Sequence, residues 1–262
     1  MEWIEANGVS LRYEFKGNGD DTLILIHELG GSLESWDEVL PELQKHFRVL
    51  RYDQRGFGLS EKTDTITMDG IIADLVCLLE AIGITSPCHI AGTALGAGIA
   101  IGFTTCHPDR VKRLAVASPS TRGSSKTIPA REERIKKIQS GGMRSSVDKS
   151  LNKSYPEILR TNTARFERYR NRWVTNDPES FIAINRFLSI LDVTAGLGKI
   201  GCPTLVVGCE YDTIRTPEMS SQVAGQIPSA IYIEAPTGHF MAVQTPALFI
   251  KTFLPFLKGE VT

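Results

Sequence analysis

The sequence predicts an α/β protein with a mostly parallel sheet flanked by helices. Short apolar runs alternate with amphipathic stretches over residues 1–120 and again after residue 200. Several runs, such as Leu23 to Ile26, are continuously apolar, which is typical of parallel strands buried on both faces. The length of 262 residues suits one such sheet with an inserted segment better than two equal domains.

The elements follow from these patterns in chain order. Alternation over 9–15 indicates an exposed antiparallel strand, with Val9, Leu11 and Tyr13 on one face. Further strands are predicted over 22–26, 47–53, 88–91, 111–117, 203–208 and 230–235. Helices are predicted over 35–46, 68–82, 95–106 and 246–257. We therefore expect a core formed by residues 1–120 and 198–262.

The segment 121–197 departs from this alternation. It lacks a buried-strand run, is rich in Ser, Lys and Arg, and indicates several helices. We expect a helical cap above the carboxyl ends of the strands, where such sheets bind ligands. Five arginines lie within 160–172. They either form a solvated surface or include substrate-binding residues, with Arg165 and Arg168 as candidates; Trp173 either packs within the cap or lines the pocket.

Composition and charge exclude several classes of function. The chain is 42% hydrophobic and 23% charged with a net charge of −1, which favours neither nucleic acid nor a membrane as partner. No run approaches the length of a membrane span, and the N-terminus lacks the pattern of a signal peptide. Five scattered cysteines have no metal-ligand spacing, so we predict no metal and no organic cofactor. These features favour a cytoplasmic protein acting on a small molecule, as a monomer or a homo-oligomer.

The segment from Ile90 to Gly96 follows a predicted strand and begins a predicted helix. This context is required by the G-x-S-x-G nucleophile elbow, a strained turn that lifts one side chain above the sheet. Gly92 and Gly96 occupy the flanking positions, and Ala94 occupies the position of the nucleophile.

Other motifs fall in a consistent order around this elbow. The turn His27 to Gly31 follows a buried strand, and we expect the amides of Leu29 and Leu95 to stabilise an oxyanion. Asp212 and His239 each follow a later strand, in the chain order acid then histidine. A buried carboxylate beside an imidazole fixes the tautomer and stabilises the imidazolium, which indicates a catalytic pair. The segment Asp53 to Ser60 is interpreted as structural.

With these motifs, residues 1–120 and 198–262 resemble the α/β-hydrolase superfamily, and within it the 3-oxoadipate enol-lactonases and meta-cleavage-product hydrolases. In such relatives residue 94 would be a Ser, or a Cys in dienelactone hydrolases, that attacks the substrate carbonyl. The resemblance implies hydrolysis of a small, anionic carbonyl compound (an enol-lactone, ester, amide or C–C bond) in a catabolic pathway.

Ala94 departs from this pattern, because a methyl group cannot form an acyl-enzyme. Three explanations stay open. Ala94 replaces a native Ser; or Ala94 is native and the His239–Asp212 pair activates water or removes a substrate proton; or the chain is a non-catalytic binder of small ligands.

Glu28 is the second departure, because it places a carboxylate in the turn that should stabilise negative charge. Its side chain either points to solvent, or faces the pocket as a second acid or base in a Ser-less hydrolase or lyase.

Overall fold

The computed structural model describes residues 1–123, 128–228 and 230–261. Parts of the predicted cap (124–127) and core (229 and 262) lie outside the described residues. The strands are β1 (Glu2–Ala6), β2 (Val9–Lys16), β3 (Thr22–Ile26), β4 (Arg48–Tyr52), β5 (Cys88–Thr93), β6 (Val111–Ala117), β7 (Thr204–Cys209) and β8 (Ala230–Ala235). The α-helices are α1 (Leu40–Leu43), α2 (Met68–Ala81), α3 (Leu95–Cys106), α4 (Ile128–Gly141), α5 (Val147–Ser154), α6 (Thr163–Val174), α7 (Pro178–Ile190), α8 (Pro217–Ala224), α9 (Met241–Gln244) and α10 (Pro246–Lys258).

The eight strands form one sheet in the order β1-β2-β4-β3-β5-β6-β7-β8. The pairs β1–β2 and β2–β4 are antiparallel, and every other neighbouring pair is parallel. Buried side chains form one apolar cluster on each side of the sheet, one with α2 and α3 and the other with α10. The predicted fold class, a mostly parallel sheet flanked by helices, is confirmed.

The first strand and two local predictions differ from the structure. The strand β1 was not predicted; it pairs with β2, so that Leu11 of the predicted exposed strand is fully buried. The helix predicted over 35–46 is wrong. A short 3₁₀ turn at Leu33–Trp36 and the four-residue α1 take its place. Pro41 lacks an amide hydrogen and would clash with the carbonyl one turn earlier, so a continuous helix cannot pass through it.

The segment between β6 and β7 contains α4 to α7 and, within the described residues, no strand of the main sheet. The helix α6 packs against the core through α9. The exact boundaries of a cap at 121 and 197 stay a prediction. Among the described helices, none has both the length and the apolar character required to cross a bilayer.

Candidate active site

The elbow between β5 and α3 places Ala94 in a strained backbone conformation. Its φ of 52° and ψ of −112° lie in a region that L-residues rarely adopt. The turn is held from both sides, because the Ala94 amide donates to the carbonyl of Ala117 at 3.0 Å and its carbonyl accepts from the Ser120 amide at 3.0 Å. The backbone geometry of a nucleophile elbow is therefore present, with a methyl group at its tip.

The two flanking glycines allow this turn to pack. A Cβ on Gly92 would lie 2.5 Å from the carbonyl oxygen of Gly96. A Cβ on Gly96 would lie 2.0 Å from the carbonyl oxygen of Ile26, at the end of β3. Both distances are far below van der Waals contact, so these two positions require glycine.

Asp212 and His239 meet beyond the carboxyl ends of β7 and β8. The His239 Nδ1–Asp212 Oδ2 distance is 2.6 Å, and both side chains are buried. The other carboxylate oxygen, Oδ1, accepts from the amides of Ile214 at 2.7 Å and Arg215 at 3.0 Å. Burial acts to raise the pKa of Asp212, but the adjacent His239 and these hydrogen bonds outweigh it and hold the pKa below its usual value. Asp212 is thus ionised.

This pairing defines the tautomer of His239. The ionised carboxylate can only accept, so Nδ1 of the imidazole carries the proton and donates it to Asp212. The opposite ring nitrogen, Nε2, then holds the lone pair. His239 lines the same cavity as Ala94, so the ring is arranged to act as a base there.

The turn after β3 is braced by His27. The His27 Nε2 accepts from the Gln54 amide at 3.1 Å, so its Nδ1 donates to the carbonyl of Glu28 at 2.8 Å. Burial lowers the pKa of this imidazole, which keeps it neutral. Leu29 and Leu95 both line the cavity, and among the described residues neither backbone amide has a hydrogen-bond acceptor. Two free amide donors beside Ala94 form the arrangement expected of an oxyanion hole.

The helix α6 covers this turn. Gly30 has a φ of 76°, and a Cβ on it would lie 2.5 Å from Nε1 of Trp173. Asn176, just after α6, donates through Nδ2 to the Gly30 carbonyl at 3.0 Å. Trp173 also lines the cavity and packs edge-on against Phe181 at a centroid distance of 4.8 Å. The indole therefore connects the helical segment to the turn from His27 to Gly31, which we call the oxyanion turn.

The cavity above Ala94 has a volume of about 210 Å³, below the size range of sites for drug-sized ligands. Four of its lining residues are cationic, and none of the lining residues among the described part of the chain is acidic. The lining residues are Leu29, Ala94, Leu95, Ser120, Ala130, Arg131, Arg134, Ser150, Lys153, Ser154, Trp173, Leu188, Thr213, Ile214, Arg215, His239 and Phe240.

Three of the cations are arginines whose pKa values are lowered. Burial and the charges of Arg215 and Arg134 lower the pKa of Arg131 to about 10. Burial also lowers the pKa of Arg134 and of Arg215. The sequence patterns did not single out these residues. Arg215 stands only three residues after Asp212, and that proximity was the one available signal.

Arg165 and Arg168, the predicted substrate-binding arginines, lie elsewhere. Arg165 Nε donates to Glu38 Oε1 at 2.8 Å, and Arg168 Nη2 lies 3.5 Å from the same oxygen. Neither residue lines the cavity above Ala94. Both therefore pair with one carboxylate on the loop before α1, through long-range contacts that spacing along the chain cannot reveal. Of the three predicted substrate-binding residues, only Trp173 reaches the cavity.

Glu28 follows neither of its two predicted orientations. The side chain is 1% exposed, so it does not point to solvent, and it is not among the residues that line the cavity. Its Oε1 accepts from Ser35 Oγ at 2.7 Å, and Arg172 Nη2 donates to that same hydroxyl at 3.3 Å. The carboxylate is therefore held behind the oxyanion turn by polar side chains, which removes the geometric basis for a second acid or base.

The segment Asp53 to Ser60 is a structural turn. Asp53 accepts from the amides of Leu33 at 2.7 Å and Leu59 at 2.8 Å, and from Arg12 Nε at 2.6 Å. This buried carboxylate ties three segments together and does not line the cavity.

A mostly parallel sheet with a strained elbow, an acid and a histidine after successive strands defines the α/β-hydrolase class. Residues 17–234 match the family described as serine aminopeptidase, S33, and the chain belongs to this family. Its relatives are hydrolases of the same superfamily, and the predicted resemblance to it is confirmed.

The individual similarities cover nearly the whole chain. A protein of Caulobacter sp. named "Putative carbamate hydrolase RutD" is 30% identical over 91% of this chain and 91% of its own length. The crystal structure of the enol-lactonase from Burkholderia xenovorans superimposes with a TM-score of 0.92 and 25% identity, covering 98% of this chain and all of the other. A hydrolase from Pseudomonas aeruginosa gives a TM-score of 0.90 with 28% identity, covering 98% of this chain and 97% of the other.

Proposed function

We propose that this chain hydrolyses a small, anionic acyl compound, with His239 activating water directly above Ala94. The observation that carries the proposal is the His239–Asp212 pair at 2.6 Å, which faces a cavity also lined by Ala94, Leu29 and Leu95. The pair and the amide donors would have no use in a protein that only binds, because both serve charge that develops during a reaction.

The mechanism follows from the donors and acceptors. A water molecule beside the methyl group of Ala94 gives a proton to Nε2 of His239 and attacks the substrate carbonyl carbon. The resulting imidazolium is stabilised by Asp212, and the oxyanion accepts from the amides of Leu29 and Leu95. Collapse of the tetrahedral intermediate breaks the bond to the leaving group, which takes the proton from His239. The products are a carboxylic acid and the protonated leaving group, without an acyl-enzyme.

Substrate class is proposed from the cavity and the relatives. The volume of about 210 Å³ favours a compound of metabolite size. Arg131, Arg134, Lys153 and Arg215 favour a negative charge on it. The names of two relatives, an enol-lactonase and a putative carbamate hydrolase, support lactones and carbamates as the acyl groups to test first, followed by esters and amides.

The test compares three proteins on a panel of small anionic esters, lactones and carbamates. We expect turnover by the unaltered chain, loss of about 100-fold or more in His239→Ala, and no covalent labelling of the unaltered chain by a fluorophosphonate. Ala94→Ser should become labelled at residue 94, because the elbow presents that side chain to His239.

Two other outcomes would contradict the proposal in different ways. Activity that arises only in Ala94→Ser would favour the replacement of a native Ser and exclude direct activation of water. No activity in either form, together with tight binding of a small anion, would favour the non-catalytic binder.

A further inference from the structure

The cavity carries more positive charge than one substrate carboxylate requires. Arg131 and Arg134 reach it from α4, and Arg215 reaches it from the loop that follows Asp212. Lys153 lines the same cavity from α5 and is exposed. A single carboxylate carries one negative charge, so it would leave most of the positive charge of these four side chains uncompensated.

The partners of two of these arginines are neutral. Arg134 Nη1 donates to the side-chain oxygen of Asn185 at 3.1 Å. Arg215 Nη2 donates to the carbonyl of Arg122 at 2.9 Å, and its Nε lies 3.4 Å from Ser120 Oγ. These contacts orient both guanidinium groups without neutralising them. Arg165, in contrast, binds the carboxylate of Glu38.

Close packing of like charges in a partly buried cavity is unfavourable without an anion. Burial is the main reason that the pKa of Arg131 is lowered to about 10, and the charges of Arg215 and Arg134 lower it further. Among the described residues, no Asp or Glu lines the cavity, and the charge of Asp212 offsets only part of the charge of Arg215. A ligand with two negative charges would relieve the repulsion and be attracted more strongly than one with a single charge.

We infer that Arg131, Arg134 and Arg215 form a receptor for a dianionic group on the substrate, separate from the carbonyl that His239 attacks. The inference rests on the proposed function for the reaction itself and adds the substrate class. The two charges belong either to a pair of carboxylates or to a phosphate monoester, which share the chemistry that guanidinium groups bind.

The experiment measures binding by calorimetry to the intact protein at low salt. The probes are glutarate, its singly charged analogue butyrate, and inorganic phosphate. We expect the affinity for glutarate to exceed that for butyrate by about tenfold or more. Arg134→Gln should lower the affinity for glutarate by about tenfold. The matched control is Arg168→Gln, which removes an arginine outside the cavity and should leave the affinity unchanged. Phosphate binding with the same dependence on Arg134, in the absence of glutarate binding, would assign the dianion to a phosphate group and also support the receptor.

Measurable but equal affinities for glutarate and butyrate would overturn the inference. So would the absence of binding by all three probes, or equal effects of Arg134→Gln and Arg168→Gln. Arg131→Gln provides a second variant in case Arg134→Gln does not fold, and a thermal unfolding curve identifies that case. Binding is measured without turnover, so this result is independent of the reaction. Dianion binding without hydrolysis would uphold the receptor and reject the proposed function. Hydrolysis of singly charged esters without dianion binding would uphold the proposed function and reject the receptor.

Discussion

Asp212 determines the tautomer of the neighbouring His239. Its carboxylate receives Nδ1–H of His239 at 2.6 Å and is itself held by two backbone amides. The position of the histidine proton, and hence which ring nitrogen holds the lone pair, depends on this contact.

We therefore expect Asp212→Asn to lower kcat by about 10³- to 10⁴-fold, because an amide can donate to Nδ1 and stabilise the tautomer that has the proton on Nε2. Steady-state hydrolysis of the best substrate measures the effect. Asp64→Asn, on an exposed loop, is the matched control and should keep full activity. A loss smaller than about tenfold in Asp212→Asn would show that the pair does not provide the base.

Glu34 gives the clearest dependence of stability on pH. Burial would raise its pKa, but Arg12 at 2.8 Å and the Ser32 hydroxyl at 2.6 Å lower it to about 2. A carboxyl group with a lowered folded-state pKa stabilises the fold above its unfolded pKa, near 4.5. That stabilisation is lost as the pH falls from about 4.5 towards 2.

Glu34→Gln should therefore flatten the decrease in the free energy of unfolding between about pH 5 and pH 2, a window that contains both the unfolded and the folded pKa of this group. Urea denaturation at several pH values measures it. Glu80→Gln, on the exposed side of α2, should retain the pH dependence of the unaltered chain. If the free energy of unfolding depended on pH equally in both variants, Glu34 would be excluded as the source of the pH dependence.

At the scale of elements, the elbow depends on the close approach of β3 to α3. Gly96 lies so near the Ile26 carbonyl that a methyl group there must displace backbone. We expect Gly96→Ala to lower the free energy of unfolding by about 1–3 kcal/mol. Gly201→Ala, where no atom lies within 4 Å of the added Cβ, should change it by less than about 0.5 kcal/mol. Chemical denaturation of both variants measures the two changes. Equal losses of stability would show that replacing a glycine is itself destabilising and that crowding at Gly96 is not the cause.

The contact between α6 and the oxyanion turn is expected to support both stability and catalysis. Trp173 is 2% exposed and touches Gly30, so Trp173→Ala should cost about 3–5 kcal/mol of stability and lower kcat by allowing the Leu29 amide to move. Trp3→Ala removes an indole that is 55% exposed and serves as the control. Denaturation and kinetics on the same samples would separate the effect on stability from the effect on kcat. An unchanged kcat in folded Trp173→Ala would show that the oxyanion turn does not need the indole to keep its position.

At the scale of the whole molecule, charge is nearly balanced but unevenly placed. There are 29 basic and 30 acidic residues, yet four cations and no acidic residue of the described chain line the cavity. The attraction for an anionic substrate is therefore local and subject to screening by salt.

We expect kcat/KM for an anionic ester to fall severalfold between about 0.01 M and 0.5 M salt, as the screening length shrinks from about 30 Å to a few ångströms. The corresponding neutral ester should show little change in the same assay. An equal response of both esters would indicate a general effect of salt on the enzyme and not an effect on binding of the anion.

The sheet and the catalytic motifs could be predicted because they depend on short-range patterns. Continuous apolar runs predicted the parallel strands, and the spacing of Gly92, Ala94 and Gly96 after a strand predicted the elbow. The strand β1 was missed, because only one of its five residues is buried and the alternation is weak.

Contacts distant in sequence could not be predicted in the same way. Glu38 attracts Arg165 across 127 residues, and Ser35 receives a hydrogen bond from Arg172 across 137 residues. Which arginines face the cavity therefore depends on how α4 to α7 pack, and a count of charges along the chain carries no such information.

The strained turn at Ala94 has a genetic consequence. Every alanine codon becomes a serine codon through one change at its first base. The costly part of a serine hydrolase, a backbone held at a φ of 52° by Ala117 and Ser120, is already present without the hydroxyl group. A single base change would therefore place a serine at the tip of a turn whose geometry already exists.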